Sequence, residues 1–445
     1  MSDEVFDLDS LKPLTWLPTL RVLLVLLGAL AVLVACGASD APEVGVQPAA
    51  EPVQPVAELV QPVAELVQPV AEPSLPGITT YAGSGSPQFQ GDGGPAIEAG
   101  FYQPAGVALD SLGNLYLVSD NRVRRIDAVT RIITTVVGTG RNRSKGDGGP
   151  AAEAALAEPV GVAVGSGGDL FIAENGSGRI RRIDVVTGII TTVAGGGIGD
   201  PRNKIFGDGG PATEAMIKLP TDVALDGEGN LYIATDNRVR KVDVSSGVIT
   251  TFAGIGERST GGDGGPAIDA GLAEPVSIVI DGEGNVFITD RDNHRVRKVN
   301  GSTGIITTIA GMGKHSKRDP EAYQQRSDTR EVMVLIAAEG AGYSGDGGPA
   351  DKAKLALPTD ITVDVHGNLF ITEGSVRVRR IDAATGVITT VASDEAVQTY
   401  EGGKVQVFTA TFGQLESIAV NQAGELFLAD YKNNVVHRVS LPSSQ

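Results

Sequence analysis

The chain has 445 residues, 36 of them Lys or Arg and 54 Asp or Glu, for a net charge of −18. Phosphate-backbone binding needs the opposite balance, so composition argues against a nucleic-acid partner. The one cysteine, Cys36, excludes an intrachain disulfide.

Taken from the N-terminus, residues 1–36 end in an unbroken apolar run, Val22 to Ala35. At 14 residues it is shorter than the ~20 needed to span a bilayer and suits a signal-peptide core. Its close, Leu33-Val34-Ala35-Cys36, resembles the bacterial lipobox, which implies a lipid on Cys36 and a mature protein outside the cytoplasm, anchored at the cell envelope. The four acidic residues Asp3, Glu4, Asp7 and Asp9 depart from that pattern and leave an uncleaved anchor as the alternative. Residues 37–77 then turn to Pro, Val, Ala, Glu and Gln. Pro55, Pro62 and Pro69 recur every seven residues, which rules out a coiled coil and predicts a semi-stiff tether.

From residue 78 to the C-terminus one unit repeats. GDGGPA begins at Gly91, Gly146, Gly207, Gly262 and Gly345, and ITT segments begin at Ile78, Ile133, Ile190, Ile249, Ile306 and Ile388. The third copy divides into four short strands: Pro220 to Asp226, Leu231 to Thr235, Arg238 to Val242 and Val248 to Ala253. Inner strands start near Pro104, Pro159, Pro220, Pro275, Pro358 and Leu415, giving six copies. The last lacks a fourth strand, while the domain opens with an unpartnered one at 78–83. The reading is an all-β, six-bladed β-propeller of four-stranded antiparallel blades, its last blade closed by the N-terminal strand.

The strings P-x-x-V-A-V-D, G-N-L-Y-I and N-x-R-V-R resemble NHL repeats of the bacterial GDGGPA form, similar to the NHL propeller of teneurins. The fourth copy is nearest the family pattern, with Gly284 to Asp290 and Asn293 to Arg297. The resemblance implies the fold firmly and an activity weakly, since such propellers include scaffolds, sensors, RNA binders and some lyases.

Two recurrent sets are expected to build the ring. GDGGPA reads as a short helical turn with proline at its first position, whose aspartates Asp92, Asp147, Asp208, Asp263 and Asp346 bond their own loops. D-x-D-x-D-G calcium spacing is absent. One carboxylate per blade, Asp120, Glu174, Asp236, Asp290, Glu373 and Asp430, ends each second strand. It is expected to meet a backbone amide across the b-c turn or, in five copies, the arginine that follows: Arg122, Arg179, Arg238, Arg295 or Arg377. Arg124, Arg125, Arg181 and Arg182 are expected to pair locally with Asp127 and Asp184.

Function is sought where the copies differ. The second position after the inner-strand proline runs Gly106, Gly161, Asp222, Ser277, Asp360, with Ser417 beside Glu416 in the last copy. Asp222, Ser277, Asp360, Glu416 and Ser417 therefore form the candidate ligand-binding set at the channel mouth, and the two glycines are expected to leave space. An insertion, about 314–339, separates the fourth and fifth blades and reads as a binding element or a tolerated loop. The four histidines, His294, His315, His366 and His437, fall on both faces and assemble no three-histidine zinc site. The sequence thus favours a monomeric, membrane-tethered binding propeller for a protein or glycan, without a cofactor or metal. A gluconolactonase-like hydrolase or lyase using a divalent cation on Asp222 and Asp360 is the alternative, and a structural spacer the third reading.

Overall fold

The computed structural model describes residues 77–198, 206–312, 342–374, 376–394 and 407–442, all within the compact unit Pro69–Gln445. Cys36, the 1–36 leader, nearly all of the 37–77 tether and the 314–339 insertion lie outside the described residues.

Each repeat becomes one antiparallel sheet. The third copy forms Asp222–Leu225, Leu231–Thr235, Arg238–Val242 and Ile249–Ala253, within two residues of the sequence boundaries. Second strands such as Leu115–Ser119 and Leu231–Thr235 are buried at every position, because each blade packs both faces against neighbours. One core cluster joins Val118, Val123 and Val137 of the first blade to Val162, Ile172 and Ile190 of the second, with Ala151, Ala154 and Leu156 wedged between. The sixth sheet contains Leu415–Val420, Leu426–Asp430 and Val435–Ser440, and its outer strand is Gly77–Ala82. Ile78 pairs with Val439 and Thr80 with His437, so the N-terminal strand closes the ring. The fifth blade departs from four strands: Phe408–Thr409 adds a short parallel fifth.

The GDGGPA segments end in single 3-10 turns, Ala96–Glu98, Ala151–Glu153, Ala212–Glu214, Ala267–Asp269 and Ala350–Lys352. Proline stands one residue earlier than expected, as the N-cap, and its extended ψ of 131° in the first copy places it before the turn. Pro95, Pro150, Pro211, Pro266 and Pro349 each bridge to the start of the following blade's outer strand. The repeat signature thereby covers the outer edge of a sheet that would otherwise present unpaired backbone groups.

The channel glycines correct an expectation. They do not open space; the next blade fills it. A Cβ on Gly106 would lie 2.3 Å from the carbonyl oxygen of Val160, and one on Gly161 would lie 2.9 Å from Asp222 Oδ1 and 3.0 Å from the Thr221 carbonyl. Gly106→Val should therefore cost about 1–3 kcal/mol in urea unfolding, the range of core overpacking. Gly167→Ala, with nothing within 4 Å of its added methyl, serves as the neutral control. Equal stabilities would show that the inner strands yield easily.

Candidate functional site

The outer, repeated part of each blade is held by an arginine that the sequence reading placed differently. The residue that reaches the carboxylates is the third of the third strand in five of the six blades: Arg124, Arg181, Arg240, Arg297 and Arg379, all at most 2% exposed. Each meets the aspartate of the preceding GDGGPA, as in Arg124–Asp92 at 2.7 Å, Arg181–Asp147 at 2.6 Å and Arg297–Asp263 at 2.8 Å. Arg240 pairs likewise with Asp208, and Arg379 with Asp346. The aspartates thus reach across to the following blade instead of bonding only their own loops. Their second oxygens take the ITT threonine, Thr135 N–H at 3.1 Å in one copy and Thr192 Oγ1 at 2.7 Å in the next.

Three of these arginines also hold the carboxylate that ends the second strand: Glu174 at 2.9 Å, Asp290 at 3.5 Å and Glu373 at 2.9 Å. In the sixth blade His437 takes the place, 3.2 Å from Asp430. Asp236 meets Lys218 at 3.3 Å. Arg122, Arg179 and Arg238, which the sequence assigned to this task, hydrogen-bond instead to Thr139 O, Ser144 Oγ and Ile255 O. The amide link mostly joins another loop, and in the sixth blade it also spans the b-c turn as expected, Asn433 N–H donating to Asp430 at 3.1 Å. Asp120, Asp290, Glu373 and Asp430 accept N–H groups of Tyr102, Ala273, Ala356 and Gly413 from the d-a loop of their own blade. Burial pushes Asp290 up to about 6 despite the Ala273 amide, Asn293 and Arg297. Arg125 and Arg182 do pair locally, with Asp127 at 2.9 Å and Asp184 at 3.3 Å.

The five candidate residues, Asp222, Ser277, Asp360, Glu416 and Ser417, line one axial cavity of about 300 Å³. Inner strands carry them there because each is a sheet edge turned toward the axis. Such an edge leaves amides to satisfy, and the side chains of the neighbouring blade supply the acceptors. Ile278 N–H donates to Asp222 at 2.9 Å, Ile418 N–H to Asp360 at 2.7 Å and Val107 N–H to Ser417 Oγ at 3.1 Å. Each aspartate also caps the next amide of its own strand, Val223 or Ile361, at 2.8 Å. The Ser277 hydroxyl donates to Asp360. The polar arc is therefore a lacing of blades three to one around the axis. Glu416 stands apart near the rim, accepting the Gln414 amide.

Burial raises both aspartates. Asp222 is pushed up to about 7, by desolvation first and by the Asp360 charge second. Asp360 is also raised by desolvation, with the Ser277 and Ser417 hydroxyls and the Ile418 and Ile361 amides opposing. Because the folded value for Asp222 lies above the unfolded one, near 3.8, folding favours its protonated form. Its stabilising contribution is whole below pH 4 and is lost as pH rises through 7. Asp222→Asn should therefore gain on the parent chain between pH 5 and pH 8, by more than about 1 kcal/mol. Urea titrations at both pH values measure this, and parallel pH dependence in the two proteins would refute it.

Among the described residues no three His, Cys, Asp or Glu side chains gather as a metal-binding group. Asp222 and Asp360 spend their oxygens on backbone amides and have no third ligand, so the divalent-cation arrangement weighed from sequence is not assembled there. His294 sits on its b-c loop and accepts the Leu357 amide on Nδ1 at 3.1 Å, and His437 belongs to the ring network.

Six sheets, five of them four-stranded and one five-stranded, closed around an axial cavity define a six-bladed β-propeller, of all-β class. A family model described as the Teneurin NHL domain matches residues 254–339, and one for the NHL repeat matches 156–183. Over these stretches the chain is similar to NHL repeats and to the teneurin NHL domain. It is 27% identical to mouse Teneurin-1 over 304 residues, 62% of this chain, and spans only 10% of that relative's length. It is 27% identical to NHL repeat-containing protein 2 of Bos taurus, covering 76% of this chain and 46% of the relative. The crystal structure of an auxiliary nutrient binding protein from Bacteroides thetaiotaomicron VPI-5482 superposes with a TM-score of 0.54 at 16% identity, over 82% of this chain and 76% of that one. That likeness is one of fold.

Proposed function

We propose that this chain is an extracytoplasmic binding propeller, held to a membrane through Cys36, which recognises a protein or glycan through its d-a and b-c face. The observation that carries the reading is the convergence of the channel residues that differ between copies, Asp222, Ser277, Asp360 and Ser417 with Glu416 at the rim, on one axial cavity. A cavity of about 300 Å³ is at the small end for ligand sites. Its walls are backbone and laced side chains, which suit a rigid recognition surface. Nutrient binding, the role named for the Bacteroides propeller, is a task of the same kind.

Two measurements test it. Acyl labelling of the full chain should vanish in Cys36→Ser, and label retained by that variant would overturn the anchor. Glu158→Lys and Lys432→Glu alter the proposed face, whereas Glu228→Lys alters an a-b turn on the opposite one. Binding to a glycan array and to purified cell-envelope proteins should weaken at least tenfold with the first two and persist with the third. The reverse pattern would move the site to the other face, and no binding to either class would end the reading.

A further inference from the structure

Several departures from the repeat meet at one place. At the position of Tyr102 the other copies have Ala157, Lys218, Ala273, Ala356 and Gly413; at that of Tyr431 they have Asn121, Asn175, Asn237, Arg291 and Gly374. Glu416 is the only charged residue at its position, where the others have Ala105, Val160, Thr221, Val276 and Thr359. Before the inner strand, glutamine occurs only at Gln103 and Gln414. Residues far apart in the chain are thus unusual only in the first and last copies, and ring closure makes those two copies neighbours.

The structure joins them. The Gln103 amide donates to Asn434 Oδ1 at 2.9 Å, tying the loop that enters the first blade to the b-c loop of the sixth. Tyr431 N–H donates to the Gln414 carbonyl at 2.8 Å, and Tyr102 N–H to Asp120 Oδ2 at 2.9 Å, which holds both tyrosine backbones in place. Burial first, then Glu416 and Tyr102, raise the Tyr431 phenol above its ordinary value, with the Gln103 side chain opposing. Gln414 Nε2 in turn donates to Glu416, which lines the axial cavity. Tyr102 is 47% exposed, a large aromatic surface left in solvent by a chain with 4% aromatics.

We propose that this seam between the sixth and first blades is a carbohydrate subsite, with Tyr102 and Tyr431 as apolar ring platforms and Gln103, Gln414 and Glu416 as hydroxyl partners. The proposal rests on the binding reading above and names the glycan as its ligand. The chemistry favours a sugar over a cation. A cation needs aromatic faces and acceptors only. Two amides and two phenolic hydroxyls offer donors as well as acceptors, which match hydroxyl groups that both give and take hydrogen bonds. Tyrosine also contributes contact area at little cost in side-chain entropy.

The experiment uses the purified full chain on a printed array of microbial, plant and animal glycans, followed by calorimetric titration of the glycan that binds. Tyr102→Ala and Tyr431→Ala should each raise its Kd at least tenfold. Glu416→Gln, which keeps shape and fold, should raise it at least threefold, and Tyr232→Phe should leave it unchanged. Tetramethylammonium chloride is titrated in parallel. Saturable binding of that cation with no glycan bound would overturn the sugar assignment. Glycan binding that responds to Glu158→Lys but not to the seam variants would overturn the subsite and leave the binding reading standing. No binding of a glycan or the cation overturns the subsite, and binding of an envelope protein then decides the broader reading separately.

Discussion

A chain lacking Gly77–Ala82 should lose most of its stability, although only six residues are removed. That strand pairs with Val435–Ser440 from Gly77–Ser440 to Ala82–Val436. Ala82 is fully buried, Tyr81 packs edge-on against Phe427 at 4.7 Å, and Ile78 joins the cluster of Val439 and Leu426. Burying one large apolar side chain contributes about 1.5–3 kcal/mol, and each backbone pair about 1. The local loss is then roughly 5 kcal/mol or more, against a total of about 5–15 for a domain. It would also expose the last strand as a sheet edge, a template for pairing between chains. Urea unfolding and light scattering of the shortened chain measure both effects; an unchanged midpoint would mean that the ring holds without its closing strand.

Replacing Arg379 by Met should cost about 3–5 kcal/mol, the range for a broken buried ion pair. Arg379 is fully buried, with Nη1 2.9 Å from Glu373 and Nη2 2.6 Å from Asp346. Without the guanidinium, Glu373 keeps the Ala356 amide as a partner and loses its countercharge in a fully buried position. Adding Glu373→Gln should recover part of the loss, because the stranded charge is then gone. Arg125→Met, which breaks a half-exposed pair with Asp127, should cost less than about 1 kcal/mol. Equal costs for the two single variants in urea unfolding would show that the buried network contributes no more than a surface pair.

Much of this propeller was legible in its repeat. Strand boundaries followed from alternation between turns, as Leu231–Thr235 and Arg238–Val242 show. The channel position was found by asking where the copies differ, and Asp222, Ser277, Asp360 and Ser417 do share one cavity. The buried arginines were missed, although a signal existed. GDGGPA and the third-strand arginine occur together in five copies, and the sixth lacks both, with His437 in place of the arginine. Read as a pair, Asp92 and Arg124 would have declared their contact.

What the sequence alone determined was the number of blades, their strand order and the closure by residues 78–83, because these depend on a periodic pattern and on counting ends. What only the tertiary structure decided was which groups meet between blades. Arg181 was chosen over Arg179 as the partner of Glu174, the glycines were filled by the next inner strand, and the Gln103 loop was tied to Asn434. Side-chain facing and blade-to-blade spacing set those contacts. Neither is written in a local pattern, since both arise from packing six sheets around one axis.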